Sequence, residues 1–155
     1  MGELQIDSRT IEIRPASLEQ IIALRHRELR PGLPRVAAEF EGDAEPRTRH
    51  FGAFDGAEAV GCVSLMPSTW EGQAAYQLRG MATQADRVGR GVGTALLSFA
   101  VEAIARESTA TWLWCNARVA AAGFYEKAGW RIVSDIFDVP TVGPHYRMVR
   151  ALPRS

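Results

Sequence analysis

The sequence is poor in the features that mark secreted, membrane-spanning or nucleic-acid-binding proteins. Cysteine occurs twice, at Cys62 and Cys115, and neither stands in a CxxC pair or beside histidines at zinc-ligand spacing. Both lie inside apolar runs, AVGCVSL and TWLWCN, where a thiol reads as a small buried hydrophobe. No disulfide framework and no metal site are expected. No apolar run approaches the roughly 20 residues that a membrane-crossing helix needs. The segment MGELQIDSRT has no basic stretch leading into an apolar one, so no secretory signal is visible. Charge of one sign is missing too: 18 basic and 18 acidic residues cancel to a formal net charge of zero. Without a long-range field, neither nucleic acid nor an anionic membrane is a favoured partner. The expectation is a soluble, cytoplasmic chain in a reducing compartment.

What is present fits one folded domain over residues 1–155. The composition is 46% hydrophobic and 23% charged, ordinary for a globule, and this length buries about two-thirds of the unfolded chain's surface. Ile11 to Arg14 alternate as a half-buried strand does. Ser17 opens SLEQ, a capping box with Gln20, before a helix carrying Ile21, Ile22 and Leu24 and ending near Arg27. A Pro/Gly-punctuated stretch follows, with a short helix over Arg35 to Phe40, and is a candidate wall for a substrate site. Phe51 to Met66 reads as a hairpin turning at Asp55-Gly56. A second turn at Glu71-Gly72 leads into a central strand, Ala75 to Ala82. An amphipathic helix over Thr94 to Arg106 presents Leu97, Ala100, Val101 and Ile104 to the sheet. Then come a strand over Thr111 to Cys115, a helix over Val119 to Ala128 stopped by Gly129, and strands over Trp130 to Phe137 and His145 to Arg150. The order describes an α/β (α+β) domain with one mixed sheet covered by helices.

The segment RVGRGVGTALL, Arg87 to Leu97, joins the central strand to the amphipathic helix. Gly89, Gly91 and Gly93 permit a curl that aims backbone N–H groups into one concavity, and the helix N-terminus adds its positive dipole end. A phosphate or pyrophosphate is the natural guest. Arg87 and Arg90 are candidates to add charge, though an arginine in such a loop is more often solvated. The P-loop pattern is not met, because no Gly-Lys-Ser/Thr occurs in the loop, and GxGxxG fails in either register, ending on Thr94 or Leu96.

The loop resembles that of the GNAT superfamily of acyl-CoA-dependent N-acyltransferases. A second segment strengthens the likeness: Asn116 to Trp130, NARVAAAGFYEKAGW, is similar to the family's strand-ending Asn and its FYxxxGF helix, with Trp130 in place of the last Phe. The segments YQLRGMA, LWCNAR and GPHYRM resemble a poorly characterised bacterial branch. The resemblance runs from Ile11 to Met148 and implies a single GNAT-like domain with a mixed, mostly antiparallel sheet of six to seven strands and helices on both faces. It implies acetyl-CoA as co-substrate, with Met81, Ala82 and Thr83 pairing its pantetheine arm. Val88, Gly89, Arg90, Gly91, Val92, Gly93 and Thr94 would wrap the pyrophosphate, and Asn116 and Tyr125 would complete the cofactor contacts. One departure stands out: the family's usual Arg or Gln falls at Val88, so the grip rests on backbone N–H groups. A homodimer is common in the family.

The implied activity is transfer of the acetyl group to a primary amine of a small molecule or peptide; the alternative is an acetyl-CoA sensor without catalysis. Attack on a thioester forms an oxyanion and expels a thiolate. Tyr125 can protonate that thiolate, phenol and thiol having pKa values of about 10 and 8.5, and a backbone N–H near Met81 can hold the oxyanion. The attacking amine must lose a proton, to Glu41, Asp43, His145 or water. Arg79 either binds an acceptor carboxylate or, as the commoner arrangement, pairs internally with an acid. Arg118 reads as a surface residue.

Overall fold

The computed structural model describes residues 2–6 and 8–153. The hairpin β1 (Gly2–Ile6) and β2 (Arg9–Ala16) is followed by α1 (Leu18–Leu29). Ser17 caps α1 as its pattern predicts: its Oγ accepts the Gln20 N–H at 3.3 Å, and its own N–H donates to Gln20 Oε1 at 2.9 Å. A 3₁₀ turn over Arg35–Ala38 stands where a short helix was expected. Next come β3 (Arg49–Asp55), β4 (Glu58–Trp70) and β5 (Gln73–Thr83). Glu71 and Gly72 between β4 and β5 have φ of 48° and 79°, the geometry of a tight two-residue hairpin turn. Then follow α2 (Val92–Glu107), β6 (Trp112–Arg118), α3 (Ala122–Lys127), β7 (Arg131–Ile132), β8 (Phe137–Val139) and β9 (Gly143–Ala151).

The strands form one sheet in the order β1-β2-β3-β4-β5-β6-β9-β7, with β8 also on β9. Nine strands therefore replace the expected six to seven. The polar edge strand β1 has one buried residue, Ile6, too faint an alternation to read. The expected strand over Trp130–Phe137 is split into β7 and β8, both laid against β9. The expected helix over Val119–Ala128 begins as a 3₁₀ turn, with its α-helical part starting at Ala122.

Helices cover both faces. Val92, Leu96, Leu97, Ala100, Val101 and Ile104 of α2 join Ile11, Phe51, Val63, Leu113 and Met148 in the larger core, which also takes Tyr125 and Trp130. Ile21 and Leu24 of α1 pack with Phe54, Cys62 and Ala82 in a second cluster. At roughly 1.5–3 kcal/mol per buried large aliphatic or aromatic side chain, these faces fix the layers. Both thiols lie inside, and burial pushes each up to about 12, so neither is a nucleophile.

Two backbone irregularities position the site. Among the described residues the β5–β6 pair is the parallel one, and its register ends at Leu78↔Cys115. Beyond it β5 stays with β4 and β6 stays with β9, so a wedge opens between them. In the same stretch the β4–β5 register steps from Cys62↔Ala82 to Ser64↔Arg79, which sets Gly80 and Met81 against Val63 alone. Gly80 takes φ of 64°, and a Cβ there would stand 2.8 Å from Arg25 Nε. Only glycine serves at that bulge.

Arg25 is fully buried on α1. Its guanidinium donates to Asp43 Oδ2 at 2.8 Å, Asp43 Oδ1 at 3.1 Å, Ser64 Oγ at 2.8 Å and the Ala38 carbonyl at 3.0 Å. His50 joins the network through Ser64 Oγ at 2.6 Å and the Asp43 carbonyl at 3.1 Å. The irregular segment between α1 and β3 is thereby tied to the sheet. Asp43→Ala leaves a buried guanidinium without its counter-charge and is expected to cost about 3–5 kcal/mol in urea unfolding; a loss under about 1 kcal/mol contradicts this role. Desolvation chiefly lowers the His50 pKa below its ordinary 6.5, so the unfolded chain binds more protons. That contribution is complete above pH 6.5 and is lost as pH falls below it, through the folded-state value. His50→Gln should flatten the stability–pH curve in that window; an unchanged slope contradicts the assignment.

Candidate active site

The glycine loop closes the wide end of the wedge. Gly89 and Gly91 take φ of 83° and 88°, and a Cβ at either would meet nothing within 4 Å. The glycines are there for the left-handed backbone, not to relieve crowding. Gly91 is the N-cap of α2, and no side chain caps that helix. Its first N–H groups therefore need an outside acceptor. They face a cavity of about 310 Å³ whose wall includes Met81, Ala82, Thr83, Val88, Gly89, Gly91, Gly93, Thr94 and Tyr125. Nine of the twelve expected contact residues are thus brought together.

Three are not. Arg90 is exposed and outside the cavity wall, and the Val92 side chain is buried in the core. Asn116 lines a different cavity, on the other side of the wedge, with its Oδ1 accepting Arg147 Nε at 3.1 Å. Arg87 does line the cavity, but its guanidinium is held by Asp55 at 2.8 Å and Glu58 at 3.8 Å. It anchors the loop to the β3–β4 hairpin. Phe124 and Ala121 also line the cavity and were not anticipated. The Phe124 ring lies 3.4 Å from where a Gly93 Cβ would stand, and the FY pair was the available signal for it.

Tyr125 is 6% exposed. Its ring packs edge-on against Phe124 and Trp130, with centroids at 5.2 and 5.5 Å. Its hydroxyl makes no hydrogen bond among the described residues, yet the sealed polar atoms lacking a partner are Arg25 Nε, Gln84 Oε1 and Trp130 Nε1. The phenol oxygen therefore reaches open space. Burial, with Cys115 nearby, raises its pKa, so the group is a proton-bearing donor across the neutral range.

A second cavity, of about 160 Å³, occupies the other side of the wedge and shares Met81, Ala121 and Tyr125 with the first. His145, 6% exposed, lines it. Its Nδ1 lies 2.7 Å from the Gly143 carbonyl oxygen. A carbonyl only accepts, so Nδ1 is the donor there and Nε2 is the ring nitrogen free to take up a proton. Asp43 is committed to Arg25 and does not line either cavity; Glu41 is exposed and lines neither. Arg79 departs from its expected pairing: among the described residues no carboxylate is within 4 Å, and it stacks on Phe40 at 4.4 Å. Arg118 is not a surface residue but half-buried, donating to the Leu29 carbonyl at 2.9 Å. Arg30 completes this side and has no local sequence signal.

No helix is long and apolar enough to cross a membrane, and no metal-holding cluster occurs, among the described residues. Known proteins place this geometry. Residues 46–132 match the family described as acetyltransferase (GNAT) domain. An uncharacterised N-acetyltransferase of Bacillus subtilis (strain 168), YitI, is 32% identical over 148 residues, covering 94% of this chain and 99% of the relative. The crystal structure of Escherichia coli ElaA has a TM-score of 0.77 at 17% identity, over 90% of this chain and 99% of its own. An aminoglycoside 6'-N-acetyltransferase solved in complex with coenzyme A has a TM-score of 0.69 at 17% identity, over 93% and 99% of the two chains. The chain belongs to the GNAT family and is an acyl-CoA N-acyltransferase.

Proposed function

We propose that the chain transfers the acetyl group of acetyl-CoA to a primary amine by direct attack on the thioester. The observation that carries this reading is the position of Tyr125 and Met81, which line both cavities at the point where they meet. A donor entering along the glycine loop and an acceptor entering from the opposite side converge on those two residues. The name of the Bacillus relative and the coenzyme A held by a structural neighbour agree with an acyl-CoA donor.

Each group has a part. The uncapped N–H groups at the start of α2 receive the pyrophosphate. The edge of β5 beyond Leu78, left without a partner on its β6 side, offers backbone groups to the pantetheine amides. The bulge at Gly80 and Met81 turns a backbone N–H toward the thioester oxygen, where it stabilises the oxyanion. His145 Nε2 takes one proton from the bound ammonium, leaving a neutral amine that can attack. The amine nitrogen bonds to the acetyl carbon; as the tetrahedral intermediate collapses the C–S bond breaks, and the nitrogen's second surplus proton leaves through the open cavity to solvent. Tyr125 gives its proton to the departing thiolate and regains one through the open cavity, because a buried phenolate is costly.

Tyr125→Phe removes a hydroxyl without a protein partner and keeps both ring contacts, so the melting temperature should hold. The kcat for CoA release should fall about 100-fold or more while the KM for acetyl-CoA stays nearly unchanged. Equal losses in binding and turnover contradict the acid role. Gly89→Asp is a complementary probe, since its Cβ meets open space and aspartate tolerates the left-handed region. It should weaken acetyl-CoA binding about tenfold or more by calorimetry through repulsion of the phosphates. Stabilisation of the wild type by ATP or NAD but not by CoA compounds overturns the reading as a whole.

A further inference from the structure

The acceptor-side cavity is lined by three arginines from three separate elements: Arg30 at the end of α1, Arg79 on β5 and Arg118 at the end of β6. They are drawn together by two fixed points. The Leu29 carbonyl accepts from Arg30 Nη1 and from Arg118 Nη2, each at 2.9 Å. The Phe40 ring carries Arg79 at 4.4 Å and Arg30 at 5.2 Å from its centroid. Arg25 packs on that ring as well, at 4.2 Å, but its charge is answered by Asp43.

The other three charges are not answered. Among the described residues no carboxylate lies within 4 Å of Arg30, Arg79 or Arg118. The acids acting on Arg79 are Asp43, already paired, and the exposed Glu41. Burial lowers the pKa of Arg30, and Arg118, Arg79 and Arg25 lower it further by repulsion. Three half-buried like charges in one small cavity oppose folding. Such an arrangement is relieved when a bound anion supplies the missing counter-charge, and the planar guanidinium suits carboxylate and phosphate oxygens. The cavity's 160 Å³ is the room of about five waters, which suits a small headgroup.

We infer that the amine acceptor is a small molecule bearing an anionic group, carboxylate or phosphate, which Arg30, Arg79 and Arg118 hold while its amine is presented at Tyr125. This rests on the acyl-transfer reading above. The anion is a spectator: the bonds made and broken are those already described, and the arginines set orientation and selectivity.

The test measures CoA release with acetyl-CoA and two series of ω-amino acids and aminoalkyl phosphates, one to five methylenes long. Each is matched to its neutral amide or alcohol, and putrescine serves as the cationic control. The best anionic amine should exceed its neutral partner about tenfold or more in kcat/KM. Comparison of the two series identifies carboxylate or phosphate. Arg79→Gln and Arg118→Gln should each collapse the ratio towards one, with the acetyl-CoA thermal shift certifying that the variant is folded. Faster turnover of neutral amines or putrescine overturns the inference while leaving acetyl transfer standing, as does a ratio that survives both substitutions. If no amine releases CoA, the acyl-transfer reading fails separately. The cavity is then read by binding: succinate or inorganic phosphate should raise the melting temperature of the wild type above chloride at equal ionic strength, and Arg79→Gln should abolish that rise. No rise with either anion overturns the inference.

Discussion

The parting of β5 from β6 is the constraint on which the site depends. A parallel pair that stayed zipped to its ends would bury the backbone edge from Arg79 to Thr83 and leave nothing for a ligand to pair with. Pairing stops at Leu78 and Cys115 because β5 is held by the long β4 ladder while β6 is held by β9. The bulge at Gly80 and Met81 adds twist at the same place. Among the described residues, the unpaired edge, the uncapped N-terminus of α2 and the partnerless Tyr125 hydroxyl are three unmet hydrogen-bonding capacities facing one space. A folded domain keeps such capacities open where water or a ligand is to fill them.

The buried Arg25–Asp43 pair governs the other half of the wedge. It fastens the irregular segment after α1 under the sheet and brings Phe40 beneath Gly80. Phe40 then becomes the platform on which Arg79 and Arg30 lie. The acid used in that anchor is unavailable to the cavity arginines, so a structural ion pair determines the charge of the cavity they line. The two halves differ in kind. The glycine-loop cavity exposes mainly backbone and small residues, beside Met81, Phe124 and Tyr125. The other cavity takes its charge from Arg30, Arg79 and Arg118, set among apolar and backbone groups.

Legibility in the sequence follows that difference. The glycine loop, the capped start of α1, the apolar stripe of α2 and the FY pair are local patterns, set by residues close in the chain, and they appear in the structure as read. The edge strand β1 has no legible pattern because GELQI buries one residue. The split of the C-terminal strand into β7 and β8 depends on both competing for β9, which no local pattern encodes. The arginine cluster was invisible for the same reason: positions 30, 79 and 118 meet only through the Leu29 carbonyl and the Phe40 ring. Asn116, placed with the cofactor by resemblance, faces Arg147 across the β6–β9 ladder and lines the arginine-bearing cavity rather than the glycine-loop one.

In the proposed reaction, donor and acceptor meet between Met81 and Tyr125 in the wedge. A crystal structure with bound acetyl-CoA is the direct test. Pyrophosphate oxygens are expected within hydrogen-bond reach of the loop N–H groups from Val88 to Gly93. Pantetheine amides should pair to the β5 edge, and the thioester sulfur should lie beside the Tyr125 hydroxyl. Pantetheine lying outside the wedge, or a thioester remote from Tyr125, would contradict it.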